Sequence, residues 1–300
     1  MSASVSPGPT ATGLAPNPTM PVQVGNPDAP LLGSAATIGQ AGLLAIVWIF
    51  FSAATFFVAL RLTVRFRQNA SFLSDDYCTA FAWLCLLAMS ILQTVQMPSL
   101  WYTAYLMAGR IAPDPDTLFN AFPIIKLFWT ALWSVKASFM AVFFRLVWPF
   151  PVHRRLWYCV AVFAAIAYIG CWLSSILSCN TPADYFRPGK CNSPHEIWVQ
   201  GFSVIYSTSV DIASDLMIMA LPISLLPSLH LDFRRKVGLG IAFSLGLVIM
   251  SVYIVRMTKL ISGGTRVDII GLAIWGAIEP AVAVIVGCLL PLGHLCAEEL

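Results

Sequence analysis

Charge is what this sequence has least of: Asp, Glu, Lys and Arg make up 10% of its 300 residues, where a water-soluble domain needs roughly 25%. Hydrophobic residues reach 58% and the mean hydropathy is +0.80, so water is not the solvent for most of the chain. No lysine or arginine precedes Arg61, so the basic opening of a secretory signal is missing. Nor is there a broad basic stripe, and the net charge is only +3; nothing points to nucleic acid. The eight cysteines form no C-x-x-C pair and the four histidines are scattered, which excludes a metal site built on such spacings. G-x-S-x-G, P-loop and H-E-x-x-H motifs are all missing.

What is present in quantity is long apolar runs. Residues 1–37 come first, a proline-rich segment too poor in large apolar side chains to bury a core, and they are expected to be disordered. About 20 mostly apolar residues cross the hydrocarbon core as a helix. Seven stretches meet that requirement: Ile38–Leu60, Tyr77–Met97, Phe122–Trp148, Leu156–Leu177, Ile197–Leu226, Val237–Leu260 and Ile269–Leu292. The composition therefore predicts an all-α membrane protein, a seven-helix bundle over 38–292, followed by a short tail at 293–300. Between the second and third spans, Trp101, Tyr102 and Tyr105 suit an interfacial segment, while Arg110, Asp114 and Asp116 forbid a crossing.

Basic residues in short loops mark the cytosolic side. One face collects Arg61, Arg65, Arg67, Arg145, Arg154, Arg155, Arg234, Arg235 and Lys236; the other collects Arg110, Arg187, Lys190, Lys259 and Arg266. This predicts an external N-terminus and a cytosolic C-terminus. Asn69-Ala70-Ser71, the one sequon without a middle proline, then falls in the cytosol, out of reach of glycosylation. Cys179 and Cys191 lie in the outer loop between the fourth and fifth spans, with Pro182, Pro188 and Gly189 between them. In an oxidising compartment they are expected to form a disulfide, with Cys171 as a rival partner.

Ionisable residues inside spans are the sharpest clues, since each costs on the order of 3 kcal/mol there. Lys136 and Asp211 each lie 14 residues below the outer end of their span, about 21 Å deep at the rise of an α-helix. They are expected to face each other or share a polar cavity, with Asp215 one turn beyond Asp211 on the same face and Glu279 in the last span. These four are the candidate ligand-binding residues. Lys126 and Arg256 are nearer the outer rim and are expected to snorkel. Asp211-x-x-x-Asp215 also suits a metal–diphosphate site, but no second acidic cluster accompanies it. Pro222 and Pro280 each free a carbonyl one turn earlier, Pro222 near a helix end. The last span has no lysine for a retinal Schiff base, so no cofactor is expected.

These landmarks, taken in order, resemble the fungal rhodopsin-domain family of integral membrane proteins. The resemblance is carried by Leu60-Arg61 through Arg65-Phe66-Arg67, the acidic pair in Ser74-Asp75-Asp76, and Lys136-Ala137-Ser138 with Phe143-Phe144-Arg145. Further on come Cys179 with Pro182 and Cys191, Asp215-Leu216-Met217-Ile218 through Leu221-Pro222-Ile223, Arg235-Lys236, Arg256, and Trp275 with Glu279. Pro280 and the loose ending Leu289-Leu290-Pro291-Leu292 depart from the pattern. The resemblance implies seven helices, a fungal origin and a receptor-like architecture, but little chemistry.

The resulting expectation is a non-enzymatic, receptor-like protein of a multi-pass membrane, the plasma membrane rather than an internal one. It would sense a small molecule in the bundle and present Arg61, Arg65, Arg67, Arg154, Arg155, Arg234, Arg235 and Lys236 to a cytosolic signalling partner. The alternative is a transporter or membrane-embedded enzyme of a fungal secondary-metabolite pathway, using the same carboxylates.

Overall fold

The computed structural model describes residues 30–31, 33–67, 73–111, 122–177, 194–225, 251 and 268–299. Within them lie seven α-helices and no strand: α1 Gln40–Arg67, α2 Ser74–Val95, α3 Met97–Met107, α4 Phe122–Val147, α5 Pro151–Ile176, α6 Pro194–Leu225 and α7 Ile269–Glu299. Six of these, all but α3, are long and apolar enough to cross a membrane. The protein is therefore an all-helical, multi-pass membrane protein. The Val237–Leu260 stretch lies outside the described residues, as do Cys179, Cys191, Asn69, Arg234, Arg235, Lys236 and Arg256. Cys78, Cys85, Cys159, Cys171 and Cys288 are free thiols.

Element boundaries follow local chemistry. α1 does not stop at Leu60: Arg61 to Arg67 continue the helix, and Arg61 and Arg65 find partners across the bundle. α2 opens on Asp75 and Asp76 in its first turn, where carboxylates favour the exposed N–H groups, and Asp76 Oδ2 accepts from the Leu73 N–H at 3.1 Å. The chain breaks at Gln96, and Pro98 starts α3 in the first turn, where a missing N–H costs nothing. α3 has 11 residues, about 16 Å of helix, too short to cross. Its Trp101 packs inward with Leu43, Val47, Ile270 and Ile274. Pro222 sits in the last described turn of α6. α7 continues past Leu292 to Glu299, so the backbone of the expected tail is helical.

Helix directions can be read from contacts. Trp83 Nε1 donates to Thr55 Oγ1 at 3.0 Å and Thr79 bonds Ser138 at 3.0 Å, so α2 runs antiparallel to α1 and α4. Trp157 Nε1 donates to the Met140 carbonyl at 2.9 Å and Lys126 Nζ to the Trp172 carbonyl at 3.1 Å, which sets α5 antiparallel to α4. His153 meets the Ser224 carbonyl at 3.2 Å and Ser203 meets Ser174 at 3.2 Å, so α6 runs back against α5. α7 lies parallel to α1 and therefore to α6. Neighbouring large apolar side chains such as Phe56, Ile166 and Ile169 remain exposed on the outside, as a lipid-facing surface requires. Inside, α4 is central: Phe128, Trp129, Leu132, Trp133 and Val135 share one buried apolar cluster with side chains of α1, α2, α5 and α7. In lipid the apolar tails give no net drive to this association, so close packing and polar bonds must supply it. Gly170 of α5 is one such close approach, where any Cβ would collide with the Tyr206 hydroxyl of α6.

Described structure includes residues before 38. Gly33–Ala36 forms a 3-10 turn in which the Ser34 N–H and hydroxyl both donate to Asp268 Oδ2, at 2.8 and 2.7 Å. Asp268 Oδ1 caps α7 by accepting from the Gly271 N–H at 2.9 Å. Gly33 has φ +59° and an added Cβ there would lie 2.7 Å from Asp268 Cγ. Gly33→Ala is therefore expected to lower stability by about 1–3 kcal/mol, whereas Gly39→Ala, which meets nothing within 4 Å, leaves it unchanged. Thermal unfolding of the two detergent-solubilised variants side by side checks this.

Candidate functional site: two buried ion clusters on α4

Lys136, in the middle of α4, is 5% exposed and faces α6, and Asp211 is fully buried. Its Nζ lies 2.7 Å from Asp211 Oδ1 and 3.0 Å from Asp215 Oδ1. The same ammonium donates to the Asp211 carbonyl at 2.8 Å and the Ser214 hydroxyl at 2.7 Å. All four oxygens belong to α6, one helical turn presenting Asp211, Ser214 and Asp215 on a single face. The Trp133 ring closes the other side, with Nζ 4.9 Å from its centroid, a favourable cation–π distance. An ammonium has three N–H bonds to share among these acceptors. Asp211 Oδ2 and Asp215 Oδ2 accept no hydrogen bond among the described residues. A metal–diphosphate site would need both carboxylates turned to a cation; here each already holds the lysine.

Glu279 does not join this group in the polar contacts of Lys136, which all lie on α6. It is buried at 1% exposure on α7. Lys126 does not snorkel outward: it is 6% exposed, over the Trp172 ring at 4.6 Å and the Phe122 ring at 5.3 Å. Its hydrogen bond to the Trp172 carbonyl and these rings hold the ammonium within the bundle, near the start of α4.

The second cluster sits where α1, α2, α4 and α7 converge. Arg61 is 2% exposed, Asp75 0% and Asp76 4%. Arg61 donates from Nη2 to Asp75 Oδ2 at 2.5 Å, from Nε to Asp76 Oδ1 at 2.9 Å and from Nη1 to the Gly287 carbonyl at 2.7 Å. Arg145 Nη2 donates to Asp75 Oδ1 at 2.5 Å, and Arg65 lies 3.5 Å from Asp75 and 3.6 Å from Asp76. The Ser138 hydroxyl donates to the Asp75 carbonyl at 3.1 Å. This corrects the expectation that Arg61 and Arg65 form a loop for a cytosolic partner. Arg61 is enclosed and Arg65 nearly so, because two carboxylates within the bundle satisfy them better than the rim can. Arg67 and Arg155 are exposed; Arg154 lies over the Trp148 ring at 5.1 Å.

Beside both clusters, a cavity of about 630 Å³ opens between α2, α4 and α5. Lys136, Trp133 and Arg145 line it from α4, Tyr168 and Trp157 from α5, and Phe81 from α2.

Comparison with known proteins identifies the frame that these residues belong to. The model of the fungal rhodopsin domain matches residues 60–298. The chain belongs to this family. No curated protein and no solved structure matches it. The fungal rhodopsin domain thus begins just before Arg61, and its basic stretch and acidic pair, separate in sequence, are here the two halves of one buried ion cluster. Its Lys136 and Asp215 blocks are likewise partners in the other.

Removing one member of a buried charge group leaves its partners uncompensated and costs about 3–5 kcal/mol. Lys136→Met is accordingly expected to destabilise by that amount, while Lys136→Met combined with Asp211→Leu and Asp215→Leu regains most of the loss. Unfolding of both variants in mixed micelles tests this; equal losses would contradict it.

Proposed function

We propose that this protein is a non-retinal, receptor-like membrane protein of seven spans, with its N-terminus outside, in which Lys136 locks the third and fifth spans together beside a ligand cavity. The observation that carries this reading is the Lys136 group itself. A single buried ammonium holds two carboxylates of a neighbouring helix, and the same side chain lines the 630 Å³ cavity. A molecule entering the cavity meets a packed ion group whose rearrangement would move α6 against α4. Packed interfaces respond by switching between discrete arrangements, which is how a small local contact becomes a movement at the far end of a helix.

The seventh span is supported by direction. α6 and α7 run the same way, which favours one further crossing between them, and Val237–Leu260 is apolar enough to supply it. The exposed end that carries Arg67 and Arg155, with Arg234, Arg235 and Lys236, supports a cytosolic face with a signalling partner; the plasma membrane is the location we propose. On this orientation Asn69 carries no glycan. Mass spectrometry of the protein isolated from its host checks that, and a glycan on Asn69 would reverse the topology. The non-retinal reading is supported by the lack of a lysine in 269–292 of the last span, and by the engagement of Lys136 with two aspartates.

A transporter or a membrane-embedded enzyme of a secondary-metabolite pathway would need its carboxylates free to bind or to transfer protons. Charge reversal at the exposed basic end separates the readings. A host strain carrying Arg67→Glu and Arg155→Glu is expected to reproduce the transcript changes of a deletion strain, with protein level and membrane location unchanged. Wild-type transcripts in that strain, with altered metabolites only in Asp211→Asn, would overturn the receptor reading.

A further inference from the structure

The cavity between α2, α4 and α5 has two polar ends and an apolar middle. At 630 Å³ it falls within the range of about 300–1,000 Å³ typical of small-molecule sites. At one end is Arg145, whose side chain is 40% exposed and uses Nη2 on Asp75 Oδ1. A guanidinium has five N–H groups and a fork that fits a carboxylate in bidentate fashion. Among the described residues, Arg61, Arg65 and Arg145 share only the carboxylates of Asp75 and Asp76. This leaves one surplus positive charge, and Arg145 is the member that reaches the opening.

At the other end is Trp133, 12 residues earlier on the same helix, about 18 Å away along the axis. It lines the cavity and is 7% exposed, yet its Nε1–H finds no acceptor among the described residues. An indole nitrogen can only donate, and leaving such a donor buried without a partner is costly. An oxygen atom on a bound molecule would satisfy it. Between Arg145 and Trp133 the walls include Ala137 and Ala141 of α4 and Ala161 and Ala164 of α5, and the polar groups beside them are already engaged: Ser134 donates to the Thr130 carbonyl, Trp157 to the Met140 carbonyl and Lys136 to α6.

We propose that this cavity binds a single-chain anionic amphiphile of the oxygenated fatty-acid class. Its carboxylate pairs with Arg145, its chain lies along the alanines, and an oxygen on the chain accepts from Trp133 Nε1–H. Charge complementarity selects the acid and the unpartnered indole selects the oxygen. A bilayer phospholipid would satisfy Arg145 but gain nothing from Trp133. The proposal rests on reading the cavity as the ligand site of the receptor, and it names the class of ligand.

The test is direct binding to the full chain in nanodiscs of neutral phosphatidylcholine, by displacement of a fluorescent fatty acid. Ricinoleate and oleate serve as probes because they differ by one hydroxyl, with methyl ricinoleate as the uncharged control. Ricinoleate is expected to bind about fivefold more tightly than oleate, the worth of one net hydrogen bond, and methyl ricinoleate to bind at least tenfold more weakly. Trp133→Phe should erase the difference between ricinoleate and oleate while keeping oleate affinity. Arg145→Gln should weaken both acids. Ala141→Trp, which fills the cavity and leaves every ion pair intact, should abolish binding and keeps the test decisive if Arg145→Gln fails to fold. Equal binding of ricinoleate and its methyl ester, equal binding of ricinoleate and oleate to the wild type, or wild-type binding by Ala141→Trp would overturn the proposal. Because the readout is binding alone, any of these results leaves the receptor reading to the charge-reversal strain.

Discussion

An arginine buried in a membrane protein must bring its counterions with it, and Arg61 draws four helices together in doing so. Its three kinds of nitrogen reach Asp75, Asp76 and the Gly287 carbonyl, which fixes α1 against both α2 and α7. Asp75 in turn receives Arg145 from α4, so the central helix is tied to the same point. In hydrocarbon the apolar faces of these helices would be nearly as content against lipid as against each other. A charge group satisfied in only one arrangement therefore does much of the work of selecting helix order and register, as buried polar groups can.

The same central helix carries the second group. Lys136 lies nine residues before Arg145, about 14 Å along α4, and turns toward α6 where Arg145 turns toward α2. α4 is thus clamped to the α1–α2–α7 side at its end and to α6 at its middle. The cavity lies along the helix from Arg145 past Lys136 to Trp133, bordered by residues of both clamps. Anything that occupies it touches a side chain of each cluster, which gives a ligand differential contact with two arrangements of α4 and α6. That differential is the requirement for shifting a conformational equilibrium.

Much of the fold was legible because hydropathy is a direct statement about solvent. Six of the seven apolar runs coincide with described spanning helices, and the depth arithmetic that put Lys136 and Asp211 at one level anticipates their meeting. The Arg61 group was harder to read. Arginines at the end of a span look like ordinary cytosolic anchors, and sequence gives no indication that the helix continues through them. Asp75 and Asp76 follow 14 and 15 residues later, at the start of another helix, and hydropathy cannot say that they point inward. Their adjacency at a helix N-terminus was the available signal. Asp268 is similar: an acid just before an apolar run reads as a helix cap, but its second set of bonds, to Ser34, depends on the turn formed by a segment whose prolines suggested disorder. Trp133 could not be singled out at all, since one tryptophan among ten shows its missing partner only when its neighbours are placed.

The account stands most directly on whether Arg61 and Asp75 act as one unit. A double-mutant cycle with Arg61→Leu, Asp75→Leu and the double variant, followed by reversible unfolding in mixed micelles, measures this coupling. Each single variant is predicted to lose about 3–5 kcal/mol, because it strands a buried charge, and the double variant to lose no more than either. Additive losses, with the double variant as damaged as the two singles summed, would mean that the two side chains stabilise the bundle independently, and would contradict the central role given to their pairing.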